Sequence, residues 1–388
     1  AIVWAGAVYV PMVLLNPVLR LVAIIQAAKP TAILVYDATI HLVSQLPENF
    51  TAINVSQLPQ AAAPVSEVAT VNLASSEDPA VILFTSGSTG IPKGIVLRHR
   101  NLVNHIEGYV KAWNIGREVV LQQSAFSFDL SIGQIFTVLS LGGTLVVAPE
   151  EARRDPAMLA TLIRRENITW TLLTPSEYSS VLQAAPQELQ QAVSWKHALA
   201  CGEALTPKLV QEFVKLRHGS VRLYNCYRPA ETIISATMAE IPLRGGGSND
   251  PVTVGLPNAN YPIYIIDENR NPVPRGFPGE ILIGGCGVGI GYLNEEQLTN
   301  DKFLTDKFES AWDVAHGWTV SYRTGDVGRL RTDGTLTTSV AVMPPPFPNP
   351  PTKRLRLMAN TVSSMDTWSA QKSPAHAATP AHATVTRG

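Results

Sequence analysis

Charge is scarce in this chain: Asp, Glu, Lys and Arg make up 16% of its 388 residues, against about a quarter in an average soluble protein. The net charge is −1, which removes any electrostatic case for nucleic acid or an anionic membrane surface as a partner. Cysteine is scarcer still. Cys201, Cys226 and Cys286 are widely spaced, odd in number and form no CxxC pair. That excludes a disulfide framework and suits a reducing, cytoplasmic setting. No apolar run reaches the length of a transmembrane span. The apolar start, Ala1 to Pro11, has no basic segment, no initiating methionine and no small-residue cleavage site, so it does not read as a signal peptide. His99, His105 and His197 are not at metal-ligand spacing. Apolar residues are plentiful at 45%, which suits a large α/β core.

Hydrophobic periodicity gives a coarse map. Leu21, Ile24, Ile25 and Ala28 share a helical face, and 31–35 reads as a strand. Residues 56–79, rich in Ser, Pro, Ala and Gln, read as a linker. Asn101 is placed to cap a helix running to Trp113, and Asp129 opens another with Ile132, Ile135, Phe136 and Leu139 on one face. Strand 144–147, helix 156–166, strand 168–173, helix 176–184, strand 197–201, helix 206–216 and strand 221–225 follow. Such alternation predicts an α/β fold built on a mainly parallel sheet flanked by helices. From Val254 the short turn-bounded strands 261–266 and 280–283 predict a β-rich portion packed on that core. Near residue 340 the pattern breaks into a Pro-, Ala- and Thr-rich stretch over 341–388 without apolar periodicity, expected to be a disordered tail.

The most informative segment is Thr85-Ser86-Gly87-Ser88-Thr89-Gly90-Ile91-Pro92-Lys93-Gly94, between the apolar runs 81–84 and 95–97. Its glycines let the backbone approach an anion closely. Its hydroxyls and backbone N–H groups can donate to phosphate oxygens, and Lys93 adds a positive charge. The order is not that of a Walker A loop, which needs Gly-Lys followed by Ser or Thr and a helix. The segment resembles the phosphate-binding signature of the adenylate-forming superfamily, which comprises acyl-CoA synthetases, luciferases and the adenylation domains of nonribosomal peptide synthetases.

Further motifs narrow the resemblance to the adenylation domains. The segment 1–11 is similar to a motif that these domains carry well inside their large subdomain, so the expected family-like core, 1–340, begins part-way through the domain. Asn225-Cys226-Tyr227-Arg228-Pro229-Ala230-Glu231 resembles the family's Asn-X-Tyr-Gly-Pro-Thr-Glu motif. Tyr322-Arg323-Thr324-Gly325-Asp326 matches another in full, and Gly279 to Gly285 with Gly291-Tyr292-Leu293 resembles a third, read as mainly structural. The resemblance implies ATP and Mg²⁺ as cofactors. Thr85, Ser86, Gly87, Ser88, Thr89, Gly90 and Lys93 would hold phosphates, Tyr227 would stack on adenine, Asn225 would meet its edge, Asp326 would hold the ribose and Glu231 would ligate the metal. A hard cation that bridges phosphates needs only one or two carboxylates.

Asp129, in Phe128-Asp129-Leu130-Ser131, occupies the position at which amino-acid-activating members pair with the substrate α-ammonium; a plain helix N-cap is the alternative. Substrate-pocket positions carried over by the resemblance are Leu130, Gly133, Leu173, Leu199, Cys201, Cys226, Ile234 and Ser235. This lining is apolar, with Gly133 expected to leave space, and suits an apolar or aromatic amino acid. Two departures matter: Arg228 replaces a glycine, and Ala230 replaces a threonine whose hydroxyl meets the α-phosphate. Nothing after Val340 resembles the family's mobile subdomain, so no catalytic residue is expected to be retained. The implied activity is formation of an aminoacyl-AMP for transfer to a carrier domain, with carrier and condensation domains as partners, impaired in this chain. The alternatives are a non-catalytic remnant and an acyl- or aryl-CoA synthetase.

Overall fold

The computed structural model describes residues 2–13, 16–47, 50–58, 74–86, 92–243 and 252–339. The expected tail over 341–388 and most of the 56–79 linker lie outside the described residues. The largest sheet has seven strands in the order Leu256–Pro257, Thr237–Ile241, Arg222–Tyr227, His197–Cys201, Trp170–Leu173, Val119–Gln122 and Thr144–Val147. The five from Arg222–Tyr227 onward are parallel, and the two at the other edge are antiparallel. Trp170–Leu173 and His197–Cys201 are buried at every residue, as strands with both faces covered must be.

Helices supply the two cover layers. Leu102 and Tyr109 from His99–Trp113, with Leu130, Ile132 and Val138 from Asp129–Ser140, pack on one face of the sheet. Leu159, Ile163, Tyr178, Val181 and Phe213 from Pro156–Arg165, Pro175–Ala184 and Pro207–Leu216 pack on the other. These last three helices share one start signal. Asp155, Thr174 or Thr206 accepts from a first-turn N–H, and a proline follows where the missing donor costs nothing.

The β-rich portion forms separate antiparallel sheets. Pro79–Ser86 and Pro92–Arg98 make a hairpin whose outer edge pairs with Gly291–Tyr292. Ile263–Ile266, Gly279–Gly284, Val320–Leu330 and Phe303–Thr305 form another, extended by Leu336–Ser339. The α/β core with an appended β-rich part is therefore the expected one.

Asn101 departs from expectation. The helix begins at His99, and Asn101 sits in its first turn, where its carboxamide oxygen accepts from the Arg98 N–H at 2.7 Å. Its amide donates to the carbonyls of Cys286 and Val288 at 2.6 and 3.1 Å, so it ties the helix to the β-rich part. Among the described residues, no helix is long and apolar enough to cross a membrane.

His105 is buried on this helix, its ring 4.1 Å from that of Tyr109, and burial lowers its pKa to about 3. The unfolded chain binds the imidazole proton near the ordinary value of about 6.5, while the folded chain does not bind it until far lower pH. Stability from this group is complete above pH 6.5 and falls as pH drops toward 3. At pH 5 the loss is about 2 kcal/mol. His105→Phe should remove that share of the stability difference between pH 7 and pH 5, read from urea unfolding at each pH. Parallel pH profiles for the two proteins would contradict it.

Candidate active site

Parallel strands end at one edge of the sheet, and four of those ends converge here. Beyond Val119–Gln122 the chain reaches Phe128 and Asp129, beyond Trp170–Leu173 it reaches Thr174, beyond His197–Cys201 Gly202, and beyond Arg222–Tyr227 Arg228. Gly202 has φ 92°, and a Cβ built on it would lie 3.5 Å from Arg228 Nε and 3.7 Å from Thr174 Cγ2. Arg228 therefore reaches back across the strand ends. Its guanidinium lies 4.3 Å from the Phe128 ring centroid, and its Nη1 pairs with Asp129 Oδ1. The Asp129 side chain is 1% exposed and that of Arg228 10%. Burial lowers the Arg228 pKa to about 10, against the pull of the Glu231 carboxylate, so at neutral pH it remains a cation. Asp129 is the first residue of its helix and makes no capping hydrogen bond; the N-cap alternative does not describe it.

The expected pocket lining is partly rearranged. Leu130, Leu199, Cys201, Cys226 and Ile234 gather in one apolar cluster with Leu172. Leu173 does not join them: it packs on the opposite face of the sheet with Tyr178 and Ala200. Successive side chains of a strand alternate between faces, so a one-residue offset exchanges Leu173 for Leu172. Gly133 does not leave open space either, because a Cβ there would meet Ile234 Cγ2 and Leu172 Cδ2, each at 3.2 Å. The Ser235 hydroxyl lies 2.9 Å from the Tyr109 hydroxyl and accepts from the Asn258 amide at 3.1 Å. Ile233 and Ile234 both have positive φ, 48° and 53°. For β-branched residues that is a strained backbone, costing about 1–3 kcal/mol each. The strained pair follows Glu231 after one residue, Thr232.

A second cluster lies beside the first. Thr85 pairs with Lys93 in the hairpin register. Lys93 Nζ is 3.4 Å from Glu231 Oε1 and 4.0 Å from the Tyr292 ring centroid. The Tyr292 hydroxyl donates to the same Glu231 oxygen at 2.8 Å and lies 3.3 Å from the Tyr322 hydroxyl. Burial first, then the Glu231 carboxylate, raises the pKa of both phenols. The Tyr227 hydroxyl donates to Asp326 Oδ2 at 2.6 Å. Asn225 is buried and donates to the Thr253 carbonyl at 2.9 Å. Ala230 opens the short turn that carries Glu231. Gly87, Ser88, Thr89 and Gly90 lie outside the described residues, as does the side chain of Ser86.

Two positioning residues escaped sequence reasoning. Tyr292 braces Glu231, as above. Glu280 accepts from Arg323 Nη2 at 2.8 Å and from the Gly325 N–H at 3.1 Å, while Thr324 donates to the Ile281 carbonyl at 2.8 Å. Together these bonds hold the turn that presents Asp326. The signal was available: both Glu280 and Tyr292 lie in the motif read as structural.

The donors fit a nucleotide with a hard cation. Among the described residues, no group of three or more His, Cys, Asp or Glu side chains gathers as a metal centre. One buried carboxylate, Glu231, beside a lysine suits a cation that takes its remaining ligands from phosphates and water.

Known proteins resemble this chain over most of its length. The model of the AMP-binding enzyme family matches residues 1–293. The hybrid PKS-NRPS synthetase apdA of Emericella nidulans is 42% identical over 340 residues, which is 87% of this chain and 8% of the relative. The hybrid PKS-NRPS synthetase mpsA of Macrophomina phaseolina is 44% identical over 340 residues, again 87% and 8%. Fusarin C synthetase of Gibberella fujikuroi is 40% identical over 338 residues, 87% and 9%. The chain thus spans only 8–9% of the length of these relatives. Among solved structures, the nonribosomal peptide synthetase FmoA3 superposes with a TM-score of 0.74 at 25% identity, covering 87% of this chain and 35% of FmoA3. FmoA3 is also known in AMPPNP-bound and α-methyl-L-serine-AMP-bound forms.

If Glu280 positions the Asp326 turn, Glu280→Gln should lower stability by about 1–3 kcal/mol, because Arg323 loses its charged acceptor. The urea midpoint measures this, and an unchanged midpoint would rule out the role.

Proposed function

The chain belongs to the AMP-binding enzyme family, and on that footing we propose that it carries an adenylate-forming site for an apolar or aromatic amino acid. In this reaction a carboxylate oxygen forms a bond to the α-phosphorus of ATP while the bond to the bridging oxygen breaks, and pyrophosphate leaves. The site must neutralise phosphate charge and align the carboxylate. Thr85, Ser86, the glycines and hydroxyls of 87–90, and Lys93 are assigned to the β- and γ-phosphates. Tyr227 and Asn225 are assigned to adenine and Asp326 to the ribose. Glu231 would hold Mg²⁺, which supplies positive charge to the phosphate oxygens.

The observation that carries this reading is the convergence of distant motifs. Tyr227 and Asp326 lie 99 residues apart and are hydrogen-bonded at 2.6 Å; Lys93 and Glu231 lie 138 apart and are paired at 3.4 Å. A Mg²⁺-polyphosphate suits such a lysine–carboxylate pair, because it offers each member an opposite charge. Asp129 is assigned to the substrate α-ammonium, and Leu130, Gly133, Leu172, Leu199, Cys201, Cys226 and Ile234 to its side chain. Carrier and condensation domains are assigned as partners, in line with the multidomain relatives, and the setting is assigned as cytoplasmic.

Turnover by this chain is reduced. Ala230 offers no hydroxyl to the α-phosphate, and a lost hydrogen bond to a charged group costs about 1.5–3 kcal/mol. Expressed in the transition state, that is roughly a ten- to hundred-fold loss of rate. Measurable Mg-AMPPNP binding is expected, weakened by Asp326→Ala. Amino-acid-dependent ATP–pyrophosphate exchange should be low and should rise at least tenfold in Ala230→Thr. No AMPPNP binding, or binding indifferent to Asp326→Ala, would overturn the reading.

A further inference from the structure

We propose that Tyr292 is a positioning residue that serves both halves of the polyphosphate site at once. Its ring holds the Lys93 ammonium and its hydroxyl orients the Glu231 carboxylate, so that a cation meets a carboxylate already fixed in place. The inference rests on the adenylate-forming reading above.

The backbone around Tyr292 is tied to the carriers of both groups. Gly291 and Tyr292 pair with Val96 and Ile95 of Pro92–Arg98, the strand that carries Lys93. The Ile290 N–H donates to the Val96 carbonyl at 2.8 Å, and the Leu293 N–H donates to the Gly94 carbonyl at 2.7 Å. Glu231 is tied to the same segment, because its carbonyl accepts from the Gly289 N–H at 2.9 Å. The Tyr292 N–H donates to Thr299 Oγ1 at 2.9 Å, and Phe303 meets the Tyr292 ring edge-on with centroids 5.2 Å apart. Tyr292 is only 5% exposed, so the ring has little freedom to turn.

A buried phenol needs an acceptor, and any backbone carbonyl would satisfy it. Tyr292 instead donates to a carboxylate oxygen, Glu231 Oε1, at 2.8 Å, the oxygen that Lys93 Nζ approaches at 3.4 Å. The same ring lies against that ammonium, 4.0 Å from Nζ to the centroid. When a Mg²⁺-polyphosphate separates the lysine from the carboxylate, each loses the charge of the other and keeps its contact with Tyr292. The Tyr322 hydroxyl, 3.3 Å from that of Tyr292, can donate to it while Tyr292 donates to Glu231, which strengthens the bond to the carboxylate. A carboxylate that holds a metal is oriented by the groups hydrogen-bonded to it, and losing such a group costs about ten- to a hundredfold in metal affinity.

The test is calorimetry of AMPPNP with the full chain, in EDTA and across a Mg²⁺ titration. Tyr292→Phe keeps the ring and removes the hydroxyl. It should raise the Mg²⁺ concentration for half-maximal strengthening of AMPPNP binding about tenfold. Metal-free affinity should stay within about twofold, because the cation–π contact survives. Tyr292→Leu removes the ring as well and should in addition weaken metal-free binding about threefold. In a Glu231→Gln background, adding Tyr292→Phe should change the Mg²⁺ requirement no further. A tyrosine that merely filled the core would lower the urea midpoint without moving that requirement. Should Tyr292→Phe not fold, Tyr322→Phe leaves both Tyr292 contacts in place and should raise the same requirement by less. An unchanged Mg²⁺ requirement in the folded variant, or an equal shift with and without Glu231, would overturn the assignment. AMPPNP binding by the unaltered protein separates the two readings. If it is present and either indifferent to Mg²⁺ or unaltered in its Mg²⁺ dependence by Tyr292→Phe, only the role of Tyr292 falls; if it is absent, the adenylate-forming reading falls with it.

Discussion

Parallel strands must all end at the same edge of their sheet, and their following loops must therefore meet there. Five parallel strands impose this on the chain. The constraint brings Asp129, Thr174, Gly202 and Arg228 together although they are spread over a hundred residues of sequence. A crevice at the carboxyl ends of parallel strands is the general place for a ligand in an open α/β sheet. The β-rich part adds the second half of the site from outside the sheet. Its hairpin delivers Lys93, and its longest strand, Val320–Leu330, delivers Tyr322 and Asp326.

Much of this was legible in the sequence because local rules and motif composition agree. The apolar runs of the parallel strands, the capped proline starts of the helices and the glycine-rich segment after 81–84 each carry a local physical signal. What was not legible depends on geometry across the sheet. Leu173 and Leu172 are both apolar, and only the strand register decides which one faces Gly133. The space expected beside Gly133 is taken by Ile234, whose placement follows from a positive-φ backbone that no propensity rule assigns to a β-branched residue.

Glu280 and Tyr292 show a related limit. Their motif was read as mainly structural, and they do hold the fold together. Yet each spends its polar atoms on a residue of the site: Glu280 on the turn before Asp326, Tyr292 on Glu231. The division between support and site dissolves once hydrogen bonds are followed, because a carboxylate held by a neighbour is oriented by that neighbour.

The pairing of Arg228 with Asp129 sharpens the point, since stability alone does not account for it. Taking two charges out of water costs about as much as their attraction returns, so a buried ion pair is a weak source of stability. Losing either partner is expensive, however, because it strands the other charge. Asp129 with an open carboxylate would carry that cost until a cationic ligand arrived, whereas Asp129 paired within the chain does not.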